Sequence, residues 1–457
     1  MLDLSKGERL TGTVTDLLTN GNGVCRIDGA VLFVSRSATG DVAEMEITRV
    51  DKRYAEAEIL RLLTPSADRA EPMCTVYGRC GGCDLCHVTF AAENSAKQRG
   101  IKSLLRKAGL GEVPVADTVT DGRRTGYRNK AVVYPMGAGY GFMAKRSALT
   151  VSASGCSLLS PRVEALCRLS AETLHRHGES AAVRSIYVRV GETKGEGMVC
   201  LVLKDGFTLS DVRYATESLR AEGSVSTLLV NVGSTGEGSP VGGEYRTLWG
   251  DGYVTDTLGG VDFRISAPAF YQVNPGCTEL LYGKVDDYAR IQPGDTVADL
   301  YCGVGTIGMY LAHRHPEARF VGVEIVPEAI EDAKANAKAN CLTNVEYFCG
   351  DAGTFDRPVD VAVVDPPRKG LSAEMRRALL RLSPRRIVYV SCDPATMARD
   401  VAELTKNGYT ADEVTPVNMF PSTRHVESVV CLSTEKADDY VRISVYTKNL
   451  RKGQPGR

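Results

Sequence analysis

Hydrophobic and polar positions divide this chain of 457 residues into three regimes. Up to about residue 64, short alternating runs broken by glycine turns predict five strands: Arg9 to Asp16, Gly23 to Ile27, Ala30 to Val34, Val42 to Val50 and Ala55 to Leu60. That pattern suits a small OB-like β-barrel. Glu93 to Leu110 then has helical spacing, with Ile101, Leu104, Leu105 and Leu110 on one side and Lys97, Arg99, Lys102, Arg106 and Lys107 expected on a solvated face. Ile186 to Val190, Met198 to Leu203 and Leu228 to Val232 are predicted strands, with Gly191 to Gly197 a hairpin loop. From Gly294 the pattern alternates: Thr296 to Leu300, Gly305 to His313, Phe320 to Glu324, Pro327 to Asn340, Val345 to Phe348, Val359 to Val364 and Ile387 to Val390. Strand following helix in this way predicts a parallel, doubly wound α/β sheet.

Length adds that one core is not enough, so two or three domains are expected. Apolar content of 43% and charged content of 24% are those of a globular protein. With no long apolar run and no signal-peptide pattern, the cytoplasm is the expected location, away from membranes. Because 55 Lys and Arg face 56 Asp and Glu, any surface for nucleic acid must be local. Fourteen cysteines in a chain of this size read as thiols, metal ligands or catalysts instead of disulfides. His175 and His177 have no ligand-spaced partner and are expected on the surface.

Those cysteines cluster at Cys74, Cys80 and Cys83, the last two flanking Gly81-Gly82, a turn that lets thiolates wrap one soft metal centre. A closed site needs a fourth ligand, either Cys86 or the distant Cys156, and spacing alone does not separate an iron-sulfur cluster from zinc. Further on, Arg123, Arg124, Arg128, Lys130, Lys145 and Arg146 are interleaved with Tyr127, Tyr134, Tyr140 and Phe142. Cations for phosphates beside rings for unpaired bases are what single-stranded RNA binding requires.

In the alternating region, Gly303-Val-Gly305-Thr-Ile-Gly308 follows a strand and opens a helix, and Glu324 closes the next strand, where it can accept hydrogen bonds from ribose hydroxyls. A dinucleotide and S-adenosylmethionine (AdoMet) both fit such a turn. Gly350-Asp351-Ala352 and Asp365-Pro366-Pro367 after later strands favour AdoMet. Arg368 follows the Asp-Pro-Pro turn where amino-group methyltransferases place an aromatic, so N-methylation is disfavoured. Pyrimidine C5 is not nucleophilic unless a thiolate first adds at C6. Cys392, where the strand Ile387 to Val390 runs out into Ser391-Cys392-Asp393-Pro394, is the candidate thiol. Removal of the C5 proton then needs a base, for which Glu427 is the candidate and His425 the next. Cys302, inside the glycine turn, is expected only to pack.

Taken in order, Phe270-Tyr-Gln-Val-Asn274, Asp299-Leu-Tyr-Cys-Gly-Val-Gly-Thr306, Asp365-Pro-Pro-Arg-Lys-Gly370, Ser391-Cys-Asp-Pro394 and His425-Val-Glu427, with the cysteine motif, resemble the RNA uracil-5-methyltransferase family from about Leu4 to Thr434. The resemblance is to its RumA-like branch, which methylates ribosomal RNA and carries a 4Fe-4S cluster. It implies AdoMet contacts from Gln272, Tyr301, Thr306, Glu324 and Asp365, with Cys392 as nucleophile and Glu427 as general base. It further implies a cluster held by Cys74, Cys80, Cys83 and Cys156. The domains it implies are an RNA-binding TRAM barrel at 1–64, a central mixed α+β iron-sulfur domain at 72–92 and 126–262, and a Rossmann-like class I methyltransferase domain at 93–125 and 263–434. A C-terminal extension, 435–457, has a strand-like stretch and a basic end. The expected partner is RNA, a single-stranded loop uridine of 23S ribosomal RNA, with transfer RNA as the alternative and no obligate protein partner. Two rival readings are an RNA cytosine-5-methyltransferase, whose pattern wants a further cysteine where Arg368 stands, and a non-catalytic RNA-binding or redox-sensing iron-sulfur protein.

Overall fold

The computed structural model describes residues 4–233 and 243–434, so the C-terminal stretch 435–457 lies outside the described residues. Strands β1 (Arg9–Leu17), β2 (Asn22–Ile27), β3 (Ala30–Ser35), β4 (Val42–Val50) and β5 (Ala55–Thr64) close a barrel in the order β1-β2-β3-β5-β4. Their alternation puts Cys25, Leu32, Val34, Met45 and Ile47 inside. The β1–β2 turn rests on the cysteine-rich segment. At Gly21, φ is +80° and a Cβ would stand 2.1 Å from the carbonyl oxygen of Asp84, so only glycine permits the approach.

Helix α1 (Phe90–Lys107) starts at Thr89, whose side chain caps the Ala92 N–H. The second sheet contains β6 (Lys130–Met136), β7 (Gly139–Met143), β8 (Thr150–Ser152), β9 (Val183–Gly191), β10 (Glu196–Leu203), β11 (Thr227–Val232) and β12 (Glu244–Trp249). Its order is β12-β11-β10-β9-β6-β7-β8. Helices α2 (Pro161–Arg176) and α3 (Arg213–Ala221) cover one face, where Val163, Leu166 and Leu219 meet Ile186, Val188 and Leu201. From the other face, Tyr187, Met198 and Cys200 join a core shared with the hairpin β13 (Tyr253–Leu258) and β14 (Val261–Ser266). That core continues into the last unit, so the hairpin bonds the two sheets together.

The last unit contains α4 (Pro275–Ala289), β15 (Thr296–Leu300), α5 (Thr306–Arg314), β16 (Arg319–Glu324), α6 (Pro327–Ala339), β17 (Val345–Cys349) and β18 (Val361–Val364). It continues through α7 (Ala373–Leu382), β19 (Arg386–Ser391), α8 (Pro394–Lys406), β20 (Thr410–Val417) and β21 (Glu427–Ser433). The sheet order is β17-β16-β15-β18-β19-β21-β20, the first five strands parallel. The strands expected to be parallel are so, and β21, which the pattern did not include, enters antiparallel to both β19 and β20. Helix α1 comes from far upstream yet packs on this unit, Ile101 and Leu105 sharing a core with Tyr389, Met397 and Leu404. Behind it, residues 114–119 run along β20, the Ala116 N–H donating to the Val414 carbonyl at 2.9 Å and that of Val119 to Pro416 at 2.9 Å.

Candidate active site

The carboxyl ends of β15, β16, β18 and β19 deliver Tyr301, Glu324, Asp365 and Cys392 to one edge of the sheet, the position where open α/β sheets bind ligands. Cys392 sits between β19 and α8, and Asp393 caps that helix by accepting the N–H groups of Ala395 and Thr396. Ser391 with Ser428 is the last pair of the β19–β21 ladder, and Cys392 and Glu427 each stand next to it. Glu427 is the first residue of a buried strand, only 3% exposed. Burial, reinforced by the nearby Asp365 charge, raises its carboxyl to about 8, with Arg368 pulling the other way. Burial first, then Glu427 and Asp365, raise the Cys392 thiol to about 11, again opposed by Arg368. Asp365 itself is lifted by burial to about 6.

Cys392 lines a cavity of about 260 Å³ with Thr19 of the barrel, Lys97 and Leu104 of α1, Arg368, Arg424 and His425. His425 is half-buried in this wall, and burial lowers its pKa. Lys97 corrects the expectation of a solvated basic face. It is entirely buried and paired with Glu93 at 2.9 Å, not solvated.

A separate crevice of about 530 Å³ is lined by Tyr301, Glu324, Gly350, Asp351, Lys369 and Arg376 among others. Tyr301, in its lining, opens the glycine turn, in which Tyr301, Gly303 and Gly305 all have positive φ, at 74°, 54° and 79°. A Cβ on Gly305 would lie 2.6 Å from the Tyr347 hydroxyl. Glu324 braces this turn, accepting from the N–H of Gly303 at 3.1 Å with one oxygen and from Ile325 at 2.9 Å and Val326 at 3.1 Å with the other. Gln272, Thr306, Asp365 and Glu427 line neither cavity. Gln272 is buried ahead of α4, and Thr306 shares a 2.8 Å hydrogen bond with the Tyr282 hydroxyl. Tyr282, which sequence patterning did not single out, faces Asp365, Asp299 and Glu427, whose charges add to burial in holding its phenol well above the usual range. Asp299 accepts the Gly308 N–H at 2.8 Å and is raised by burial to about 7. Cys302 is buried beside Gly322, in the packing role expected of it.

Cys74, Cys80, Cys83 and Cys156 line a third cavity, of about 470 Å³, walled also by Arg128 and Phe142. Cys86 is absent from its lining; it is buried with its thiol beside Cys83 and Ser422. Among the described residues, no three His, Cys, Asp or Glu side chains converge as ligands of a single metal ion. The four thiols, soft donors from two segments of the chain, border one space.

Two rings of the expected ring-and-cation set are interior, whereas Arg123, Lys145 and Arg146 are exposed and Tyr134, Phe142, Arg124, Arg128 and Lys130 are half-buried. Tyr127 and Tyr140 are buried, the former donating to the Pro421 carbonyl at 3.0 Å, and Phe142 stands edge-on to Tyr140. Tyr127 and Tyr140 are core rings that cannot stack on a base. Arg124 donates to the Leu85 carbonyl, and Lys145 pairs with Asp84 at 3.2 Å. Lys130 lies over the Tyr187 ring, its pKa lowered to about 8 by burial and by Arg189 and Arg128. His175 and His177 are exposed, as expected.

Two family models match, a TRAM domain at residues 4–60 and a methyltransferase domain at 291–419. An uncharacterized RNA methyltransferase of Halalkalibacterium halodurans is 36% identical over 452 residues, covering 94% of this chain and 98% of its own. One from Clostridium tetani is 35% identical, covering 92% of this chain and 95% of its own. Among solved structures, the Pyrococcus abyssi tRNA (uracil-54, C5)-methyltransferase in complex with S-adenosyl-L-homocysteine is similar, with a TM-score of 0.74 and 27% identity over 93% of this chain and all of that one. No helix among the described residues is long and apolar enough to cross a membrane. A TRAM barrel joined to an AdoMet-type methyltransferase sheet, with relatives of this name matching end to end, means that this chain belongs to the RNA methyltransferases.

Proposed function

We propose that the protein methylates C5 of a uracil in RNA with AdoMet as donor, through a covalent bond between Cys392 and C6. The observation that carries this reading is that a strand-end thiol and a buried carboxyl stand next to the last pair of the β19–β21 ladder, near enough for the carboxylate charge to raise the thiol, at the ligand-binding edge of the sheet. The Cys392 thiolate adds to C6 and pushes an electron pair toward C5 and the O4 carbonyl. AdoMet supplies the methyl group that C5 takes up. Glu427 removes the C5 proton, and the pair left behind restores the C5–C6 double bond and expels Cys392. Arg368 faces both groups and favours their ionised forms. Around the donor, we assign Glu324 to the ribose hydroxyls and Tyr301, Asp365, Gln272 and Thr306 to the remaining contacts.

We also propose that Cys74, Cys80, Cys83 and Cys156 hold a 4Fe-4S cluster, supported by their common cavity, with Cys86 outside the ligand set. The cluster would tie residues 74–83 to 156 and so brace the central domain. The units we assign are 1–64, then 72–92 with 126–262, then 93–125 with 263–434. The resemblance of the motifs favours ribosomal RNA as substrate, whereas the Pyrococcus neighbour acts on transfer RNA. Incubation of purified protein and AdoMet with each RNA, followed by mass-spectrometric nucleoside mapping, tests both. New 5-methyluridine in ribosomal RNA is the expected result. Methyl transfer to cytidine, or none, would contradict the assignment.

A further inference from the structure

Helix α1 carries a lysine into the interior of the molecule without exposing any of it. The Lys97 ammonium donates to Glu93 Oε1 at 2.9 Å, to Asn418 Oδ1 at 2.6 Å and to the Phe420 carbonyl at 3.2 Å, which uses all three of its protons. Glu93, equally buried, accepts in addition from Asn418 Nδ2 at 3.0 Å and from the Ser422 N–H at 2.9 Å, and Arg124 Nη2 stands 3.5 Å away. Apart from Arg124, every partner of the pair lies in the connection from β20 to β21, which passes through His425 and ends at Glu427. That connection turns at Ser422, fully buried at φ +67°, a conformation that a non-glycine residue keeps only where its surroundings impose it. Lys97 also forms part of the wall of the cavity that holds Cys392.

A buried ion pair is a poor source of stability, because desolvating both charges offsets most of their attraction and apolar residues of similar volume often do as well. Short charge-assisted bonds to several fixed acceptors supply geometry instead. We propose that Lys97 is a positioning residue: with Glu93 it fixes the 418–426 connection on helix α1 and thereby sets where His425 and Glu427 stand relative to Cys392. This rests on the uracil-C5 reading above.

The test compares full-length Lys97→Met and Lys97→Met/Glu93→Gln with wild type and with Glu427→Gln. The double variant removes both charges at nearly constant volume, and the amide at 93 can still hold Asn418 and Ser422. Both variants should keep wild-type AdoMet affinity by calorimetry, while turnover on RNA falls on the order of tenfold to a hundredfold, as expected for a displaced reacting group. Slowed elimination should also leave an RNA–protein adduct on denaturing gels, as it does when the base itself is removed. Wild-type turnover without adduct in the folded double variant would overturn the proposal. Loss of folding or of AdoMet binding in both variants would overturn it too, because the pair would then serve stability alone. If the wild-type protein forms no 5-methyluridine, the underlying function fails and the proposal with it; normal methylation by every Lys97 variant fails the proposal alone.

Discussion

Glu427, Asp365 and Asp299 are three carboxyls held in or near the interior, and each is raised by burial, to about 8, 6 and 7 respectively. A base that must be ionised to work, in a site where ionisation is disfavoured, gives a rate that climbs with pH. We expect kcat/KM for RNA to rise from about pH 6 and to go on rising beyond about 9, since this ratio reports groups of the free enzyme and both the Glu427 carboxyl and the Cys392 thiol must ionise. A flat profile would take Glu427 out of the base role. The same shift has a stability consequence of definite sign. The native state binds the Glu427 proton more tightly than the unfolded chain does, so its contribution is full below about 4.5 and is lost as pH rises through about 8. Glu427→Gln should therefore melt progressively higher than wild type as pH increases across that window, measured by scanning calorimetry. Glu324→Ala should weaken AdoMet by roughly 1.5 to 3 kcal/mol if the ribose bonds are charge-assisted. Because Glu324 also holds the Gly303 N–H, a larger loss in calorimetry would point to collapse of the glycine turn. Single residues differ in how far they could be read beforehand. Cys392 was legible because a buried β-branched strand stops at it. Lys97 was not, although it is four residues after Glu93 and four before Ile101, on the stripe that packs inward. A charge on such a stripe is usually assigned to solvent, and only a buried acid at the right distance reverses that.

At the level of elements, the parallel core was legible from strand–helix alternation, and the barrel from five alternating runs with glycine turns. The antiparallel insertion of β21 was not, because its neighbour β20 is polar at Asp412 and Glu413 and the connection between them gives no hairpin signal. Strand β21 begins at Glu427 and, through its last pair with β19, Ser428 with Ser391, brings that carboxyl to the strand end that carries Cys392. The aromatic set between Tyr127 and Phe142 misled for the opposite reason: rings among cations signal stacking in sequence, yet strands β6 and β7 turn Tyr140 into the core under α2, and the buried Tyr127 bonds to the 418–426 connection. For the cysteine segment the structure leaves a direct test. Protein purified without oxygen should contain about four iron and four sulfide per chain. Cys156→Ser should lose them and Cys86→Ser should keep them. The reverse outcome would move the fourth ligand to Cys86, and stoichiometric zinc without sulfide would exclude the cluster.

Across the whole molecule, the site is a composite. The cavity around Cys392 takes one wall from barrel residue Thr19, one from helix α1 and the rest from the methyltransferase sheet, so that chain segments hundreds of residues apart meet around it. Arg424 reaches back to Asp84 at 2.9 Å and Ser422 accepts the N–H groups of Asp84 and Leu85, which ties the base-bearing connection to the cysteine segment as well. A chain with a net charge of -1 has no global attraction for RNA, so any surface that recognises it must be local. The central claim is that Cys392 and Glu427 act in succession on one base. It is tested most directly by incubating Cys392→Ala and Glu427→Gln with labelled RNA and AdoMet and running denaturing gels. The account predicts a stable, methylated RNA–protein adduct for Glu427→Gln and neither adduct nor product for Cys392→Ala. Methylation by Cys392→Ala, or full turnover without adduct by Glu427→Gln, would contradict it.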